Sequence, residues 1–210
     1  MQNTLSLSVL FTNLYRWLLR FILAVYLAFL NLVDFFPRRK KPTQTKLSVL
    51  ATGTFYSDNW LVTHLKPMAD AENCHSIVMV STSPVPNMEN VTGAYPPELL
   101  IKCIGSVPAR LVYFAGLAVV KKPDVLVGFH LLINGLFVAL LARLIGAKSV
   151  YICGGGEREV IGGGVYTENR IFSRIGKEDK VIEGFLLKAV NAMDLVISMG
   201  NGAVDYFKLR

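Results

Sequence analysis

The sequence predicts an α/β fold, a parallel and doubly wound sheet, preceded by an N-terminal hydrophobic helix that associates with membranes. Three observations predict it. From Lys46 onward, short β-branched runs alternate with helix-length apolar stretches. Residues 1–36 are dominated by Leu, Phe, Ile and Val. The chain as a whole is 52% hydrophobic and 18% charged, with a mean hydropathy of +0.44, which excludes disordered, collagen-like and highly charged classes. Its 210 residues suit one full domain with an appendage.

The appendage comes first. Residues 1–36 lack a basic leader region and a small-residue cleavage site, so the segment is expected to stay attached. On a helix at about 100° per residue, Asn13, Arg16, Arg20, Asn31 and Asp34 fall within one narrow arc and apolar side chains cover the rest. The uncharged stretch between Arg20 and Asp34 is shorter than the ~20 residues of a simple span. Three placements therefore stay open: a helix lying in the membrane interface, a span with Arg16 and Arg20 near one boundary, or a core helix packed on the domain.

Residues 37–46 form a Pro-flanked basic linker, with Arg38, Arg39, Lys40 and Lys41 between Pro37 and Pro42. Such a run beside an apolar segment is drawn to anionic lipid by about 1 kcal/mol per basic residue. Arg16, Arg20, Arg38, Arg39, Lys40 and Lys41 are thus the expected membrane-binding set. Membrane lipid is the expected partner, with the folded body, residues 47–210, on the cytoplasmic side. The chain carries a formal charge of +7 and a pI of about 9.4. Nearly all of that excess lies in residues 1–46, where seven basic side chains face only Asp34. A body close to neutrality argues against a nucleic-acid partner.

Cys74, Cys103 and Cys153 share no metal-like spacing and fit a reducing compartment. His64, His75 and His130 are equally scattered, so no metal site is expected. The sequon at Asn90 is taken as chance, because a cytoplasmic body would not meet the glycosylation machinery.

The body reads in order as follows. Leu47–Ala51 is a strand, Asn59–Ala71 a helix interrupted by Pro67, and Ser76–Val80 a second strand. Residues 81–97, rich in Ser, Pro, Asn and Gly, read as loop. The apolar run Leu99–Ile104 reads as a further strand, and Val107–Lys121 as a helix with Pro108 in its first turn. Val125–Val127 is a short strand of the kind buried on both faces. Leu131–Ile145 follows as a long helix closed by Gly146, then Lys148–Ile152 as a strand. Lys180–Asn191 is a helix, Leu195–Ile197 a last strand, and residues 202–209 a terminal helix. The alternation implies a Rossmann-like sheet whose ligands bind beyond the carboxyl ends of the strands. Those ends hold Thr52-Gly53-Thr54, then Ser81-Thr82-Ser83, then Gly128-Phe129-His130, then Cys153-Gly154-Gly155-Gly156-Glu157, then Ser198 to Gly202. Small and hydroxylic residues there permit close backbone approach to phosphate or sugar hydroxyls.

The stretch Lys122–Arg210 resembles the amino-terminal half of family 4 glycosyltransferases, which have the two-domain GT-B fold. The resemblance rests on KPDVLVGFH, the apolar helix ending LLARLIGAKSVY, the glycine turn CGGGE and the stretch MDLVISMGNGAVDYF, in that order. Lys46–Val80 follows the family more loosely. Two departures stand out: TGTFYSDNW replaces a Gly-Gly turn after the first strand, and Cys153 stands where members often place His. The resemblance implies a membrane-bound, hexosyltransferase-like enzyme of polysaccharide or glycolipid assembly. It would pass a sugar from a nucleotide-sugar donor to a membrane-proximal or lipid-linked acceptor. The family's donor-binding domain has no counterpart in residues 1–210, so the donor is expected on a further domain or a partner subunit, with no cofactor in this chain. The layout is similar to the membrane-anchored subunit of the two-chain N-acetylglucosaminyltransferase that acts on dolichol-linked sugar. The rival reading is a non-catalytic, membrane-tethered Rossmann module that binds a nucleotide or a protein.

His130 is the candidate catalytic residue, positioned to hydrogen-bond an acceptor hydroxyl or act as its base. A histidine satisfied by backbone at a helix start would look the same. The candidate acceptor-binding residues are Gly53, Thr54, Gly154, Gly155, Gly156, Glu157, Arg158, Ser198 and Asn201. Against these stand a plain flexible turn for the glycines, a solvated loop for Arg158, and a helix cap for Asn201, where the cap leads.

Overall fold

A computed structural model describes residues 2–35, 46–55, 57–198 and 200–208. Arg38, Arg39, Lys40 and Lys41 lie outside the described residues. The elements are α1 (Gln2–Asp34), β1 (Leu47–Thr52), α2 (Asp58–Ala69), β2 (Cys74–Val80), β3 (Val91–Ala94), α3 (Glu98–Ile104), α4 (Ser106–Lys121), β4 (Val125–Phe129), α5 (Leu136–Ile145), β5 (Lys148–Cys153), α6 (Lys180–Asn191), β6 (Leu195–Ser198) and α7 (Asn201–Lys208). The chain divides into two compact units, Pro37–Ile152 and Met1–Phe36 with Cys153–Arg210.

In the first unit the strands run parallel in the order β3-β2-β1-β4-β5. Side-chain alternation along the strands sorts the core into two faces. Ala51, Ile77, Met79, Val127 and Phe129 pack with Leu61 and Leu65 of α2. Leu50, Val80 and Leu126 pack with Phe114 and Ala118 of α4 and with Val138 and Leu141 of α5. Apolar side chains on both faces explain why Val125–Phe129 reads as a continuous apolar run. The sheet is doubly wound, and its strand order reverses between β1 and β4.

The N-terminal edges of these two strands are pinned together. Asp124 accepts from the Ser48 N–H at 2.9 Å and from the Ser48 hydroxyl at 2.7 Å, while the Asp124 N–H donates to the Ser48 carbonyl at 2.9 Å. The aspartate of the KPD stretch therefore sets strand register at the edge opposite the ligand-binding one.

Four expectations are corrected. Leu99–Ile104 is helical, not a strand: α3 buries none of its side chains, and Gly105 at φ 85° separates it from α4. A short apolar run has no periodicity that tells strand from helix. The 81–97 loop contains β3, an edge strand that takes its register from β2 (Ile77 opposite Val91) and not from its own composition. The helix expected from Leu131 begins only at Leu136, after a turn of π type over Leu131–Gly135. The interruption expected at Pro67 is not seen: α2 runs on through it to Ala69, with Pro67 in the last turn, and Ser57 caps the helix, accepting from the Trp60 N–H. Gly146 closes α5 at φ 73°.

In the second unit α1 packs along α6. Two members of the thin polar stripe of α1, Arg16 and Arg20, turn to protein, whereas Asn13, Asn31 and Asp34 are exposed. Arg16 Nε donates to Asp179 Oδ2 at 2.9 Å and Arg20 Nη2 lies 2.9 Å from the same oxygen. Tyr15 donates to the Ile171 carbonyl at 2.8 Å. Asp179 also caps α6, accepting from the N–H groups of Val181 and Ile182. Leu19, Leu23 and Leu30 of α1 are buried, whereas Leu10, Phe11, Leu14, Trp17, Phe21 and Val25 are exposed. Among the described residues, Val9–Asp34 is long and apolar enough to cross a membrane. Glu183 ties the rest together, accepting from the Gly162 N–H, Lys180 Nζ and the Tyr206 hydroxyl at 2.8–2.9 Å.

Candidate functional site

The ligand-binding edge of a doubly wound sheet lies where its strand order reverses, here at the carboxyl ends of β1 and β4. The chain leaves β1 through Gly53 and Thr54. A Cβ on Gly53 would lie 2.4 Å from the Cβ of Phe129, so only glycine lets this exit run against the end of β4. On β4, a Cβ at Gly128 would meet the Gly135 backbone at 3.1 Å, because the chain after the strand folds back over it.

That fold-back is strained. His130 sits at φ 63°, ψ 136°, and the β-branched Ile133 at φ 76°, ψ −60°. Conformations of this kind cost about 1–3 kcal/mol each and persist where neighbours over-determine them. The neighbours are visible. The His130 N–H donates to the Ile152 carbonyl at 3.1 Å, and the His130 carbonyl accepts from the Gly135 N–H at 2.9 Å. Buried Asn134 donates to the Phe129 carbonyl at 2.9 Å.

Asn134 in turn accepts from Arg110 Nη2 at 2.9 Å, and Arg110 Nη1 donates to the Thr54 hydroxyl at 3.3 Å. A hydrogen-bonded chain, Thr54–Arg110–Asn134–Phe129, therefore links the exits of β1 and β4 through α4. The half-buried His130 ring stacks on Trp60 at 6.0 Å with an interplanar angle of 7°. Trp60 also stacks on His64 and meets Phe129 edge-on. The arrangement offers an imidazole held by an aromatic wall, an exposed hydroxyl and a guanidinium.

Arg110 and Asn134 were not among the residues expected at this edge. Arg110 is only 4% exposed, and burial pushes its pKa down from the usual arginine range. A signal for it does exist in the sequence: it is the sole charged residue in the apolar stretch 107–120. Asn134 lies inside what reads as an uninterrupted helix and gives no such signal.

Gly53, Thr54 and His130 thus come together in one unit. Gly154, Gly155, Gly156, Glu157, Arg158, Ser198 and Asn201 belong to the other. There, Gly156 takes φ 66°, the Gly155 N–H is held by buried Glu159 at 2.8 Å, and the Cys153 thiol donates to the Gly156 carbonyl at 3.2 Å. Arg158 is exposed. Glu157 lies beside the start of α7, its Oε2 3.7 Å from where a Cβ on Gly202 would be. A carboxylate there favours the positive end of the helix. The Ser198 hydroxyl turns back on Gly200, donating to its carbonyl at 3.0 Å. Asn201 is the first residue of α7, and the Gly200 carbonyl accepts the first helical bond from Val204; the cap position is Gly200, not Asn201. Arg16 and Arg20, expected against lipid headgroups, both turn to Asp179. Among the described residues no group of three or more His, Cys, Asp or Glu side chains is arranged to hold a metal ion.

No protein-family model matches the chain, and no curated protein matches it in sequence. Among solved structures it is similar to a 2.2 Å crystal structure described as a UDP-N-acetylglucosamine 2-epimerase from Listeria monocytogenes, with a TM-score of 0.47 and 9% identity. That match covers 79% of this chain and 43% of the other, so the chain spans less than half of that protein's length.

Proposed function

We propose that the chain is the acceptor-side half of a membrane-associated GT-B glycosyltransferase, passing a sugar from a nucleotide-sugar donor to a membrane-proximal or lipid-linked acceptor. The observation that supports this most is the position of His130. It stands at the end of β4, at the reversal of strand order, on a strained backbone, and the turn it opens is linked through Asn134 and Arg110 to Thr54 at the β1 exit. In this reading the acceptor hydroxyl attacks the anomeric carbon of the donor and its proton passes to His130. The bond from that carbon to the diphosphate breaks, and the nucleoside diphosphate leaves with the electron pair. The donor is held by a second nucleotide-binding domain, joined in cis or supplied by a partner subunit. The exposed apolar face of α1, with Phe11, Leu14, Trp17 and Phe21, tethers the chain to the membrane.

The test is made in cells of the source organism. Their membranes are incubated with radiolabelled nucleotide sugars, with the gene intact, deleted, or restored as His130→Ala. Label entering a lipid or glycan fraction should vanish on deletion and stay absent with His130→Ala at normal protein levels. If deletion leaves every labelled fraction unchanged, glycosyl transfer is not the activity.

A further inference from the structure

Arg110 lies within the first two turns of α4, a 16-residue helix. Side chains on a helix lean toward its N-terminus, which carries this guanidinium to the same edge as Thr54 and His130. Its observed partners are both neutral, the Thr54 hydroxyl and the Asn134 amide oxygen, and its Nε–H has no hydrogen-bond partner among the described residues. Among the described residues no carboxylate pairs with it. The start of α4 adds to the imbalance: it has no acidic residue in its first turn, and Gly105 offers no side-chain cap. A helix N-terminus carries partial positive charge and unsatisfied N–H groups.

A buried cation beside the positive end of a helix is costly unless a negative charge meets it. Arg143, also in an apolar helix, makes the contrast: its Nη1 donates to the carbonyl of Ala139 one turn back on its own helix. Arg110 instead reaches across to the β1 exit and the turn after β4, the edge where a doubly wound sheet takes ligands. The guanidinium fork matches phosphate geometry.

We infer that Arg110, with the start of α4 and the Thr54 hydroxyl, forms a binding site for a phosphate group of the ligand at the β1/β4 edge. The inference goes beyond glycosyl transfer and stands without it, since phosphate recognition needs neither a sugar donor nor a base. The phosphate belongs either to a soluble phosphate ester or to a polyprenyl phosphate in the membrane; the guanidinium chemistry is common to both.

The experiment uses the full chain in detergent micelles, with three probes: inorganic pyrophosphate, glucose 6-phosphate and a short-chain polyprenyl phosphate. Binding is read from the melting temperature and from quenching of tryptophan fluorescence in a Trp17→Phe background, which leaves Trp60 as the sole tryptophan. At least one probe should raise the melting temperature of the wild-type chain. Response to the first two assigns a soluble ester, and response to the third alone assigns the lipid. Arg110→Lys, which keeps the charge and loses the fork, should weaken that probe about tenfold, and Arg110→Met should weaken it further. If Arg110→Met does not fold, Arg110→Lys decides alone. No response from the wild-type chain to any probe, or equal affinity in Arg110→Lys, overturns the site. Loss of glycosyl transfer with phosphate binding intact would remove the proposed activity and leave this site standing.

Discussion

Arg16 reaches across 163 residues of sequence to donate from Nε to Asp179 Oδ2 at 2.9 Å. With the Arg20 pair on the same carboxylate, the contact turns the two arginines of the α1 polar stripe from a lipid-facing feature into a protein-facing one. Burial alone would push the Asp179 carboxyl up, but bonds from Arg20, the Ile182 N–H and Arg16 outweigh it and hold the group below the usual carboxylate range. A group lowered in the folded state contributes stability above its unfolded value, about 3.9 for Asp, and loses it as pH falls through the folded value. Asp179→Ala should therefore cost about 3 kcal/mol at neutral pH, chiefly by leaving the largely buried Arg16 without its carboxylate and with only the Glu178 carbonyl, 3.2 Å from Nη2, to accept from it. Arg20 is more exposed and adds little. Thermal melts of wild type and variant should differ most at pH 5–8, and the difference should begin to shrink only near pH 4 and go on shrinking as pH falls through the lower folded value.

The Ser48–Asp124 lock supplies a second expectation. Asp124→Ala leaves the Ser48 N–H and hydroxyl without their shared acceptor at the start of β1. The cost should be about 1–3 kcal/mol, seen as a lower melting temperature. Transfer per folded molecule should stay at the wild-type level, since the lock lies at the edge of the sheet away from His130. A selective loss of transfer at unchanged stability would instead place Asp124 in the site.

How much of this was legible in the sequence depends on whether local residues or distant partners decided each feature. The strands β1, β2, β4 and β5 could be read directly, because burial on both faces leaves continuous apolar runs. Gly53, Thr54 and His130 were legible only as residues at strand ends, on the same footing as Gly154 to Glu157 and Ser198; that β1 and β4 meet where the strand order reverses is shown by the fold alone. By contrast β3 exists through its pairing with β2, and the break at Ile133 through Asn134 and the Gly128–Gly135 approach, all of which are tertiary. Arg16 and Arg20 read equally well as headgroup ligands, because the helix arc gives the direction of a stripe and not what lies opposite it. Arg110 was visible as a lone charge in an apolar helix, yet only the fold shows that it points at the candidate site.

His130 tests whether strain and chemistry share one residue. Its φ of 63° lies in the region that disfavours any residue with a Cβ, so the ring is held there at a cost. His130→Gly and His130→Ala both remove the imidazole and its stacking on Trp60. The glycine variant should nonetheless be more stable than the alanine variant by about 1 kcal/mol, since only it relaxes the backbone. Both should lose transfer in the membrane assay. Equal stability of the two would show that the turn is not strained at this position.

The exposed face of α1 gives the last expectation. Leu14, Trp17, Phe21 and Val25 are each more than half exposed although large and apolar, whereas Leu23 and Leu30 are buried. Taking a large apolar side chain out of water is worth about 1.5–3 kcal/mol, so a row of them favours a lipid surface strongly. Leu14→Glu with Phe21→Glu should release the protein from liposomes in flotation while leaving its melting temperature in detergent nearly unchanged. Leu23→Glu should do the opposite, lowering the melting temperature by placing a charge in packed surroundings. Arg16→Gln should behave like Leu23→Glu, because its guanidinium is held by Asp179. Should Arg16→Gln release the protein from liposomes without any loss of stability, the stripe would face lipid after all.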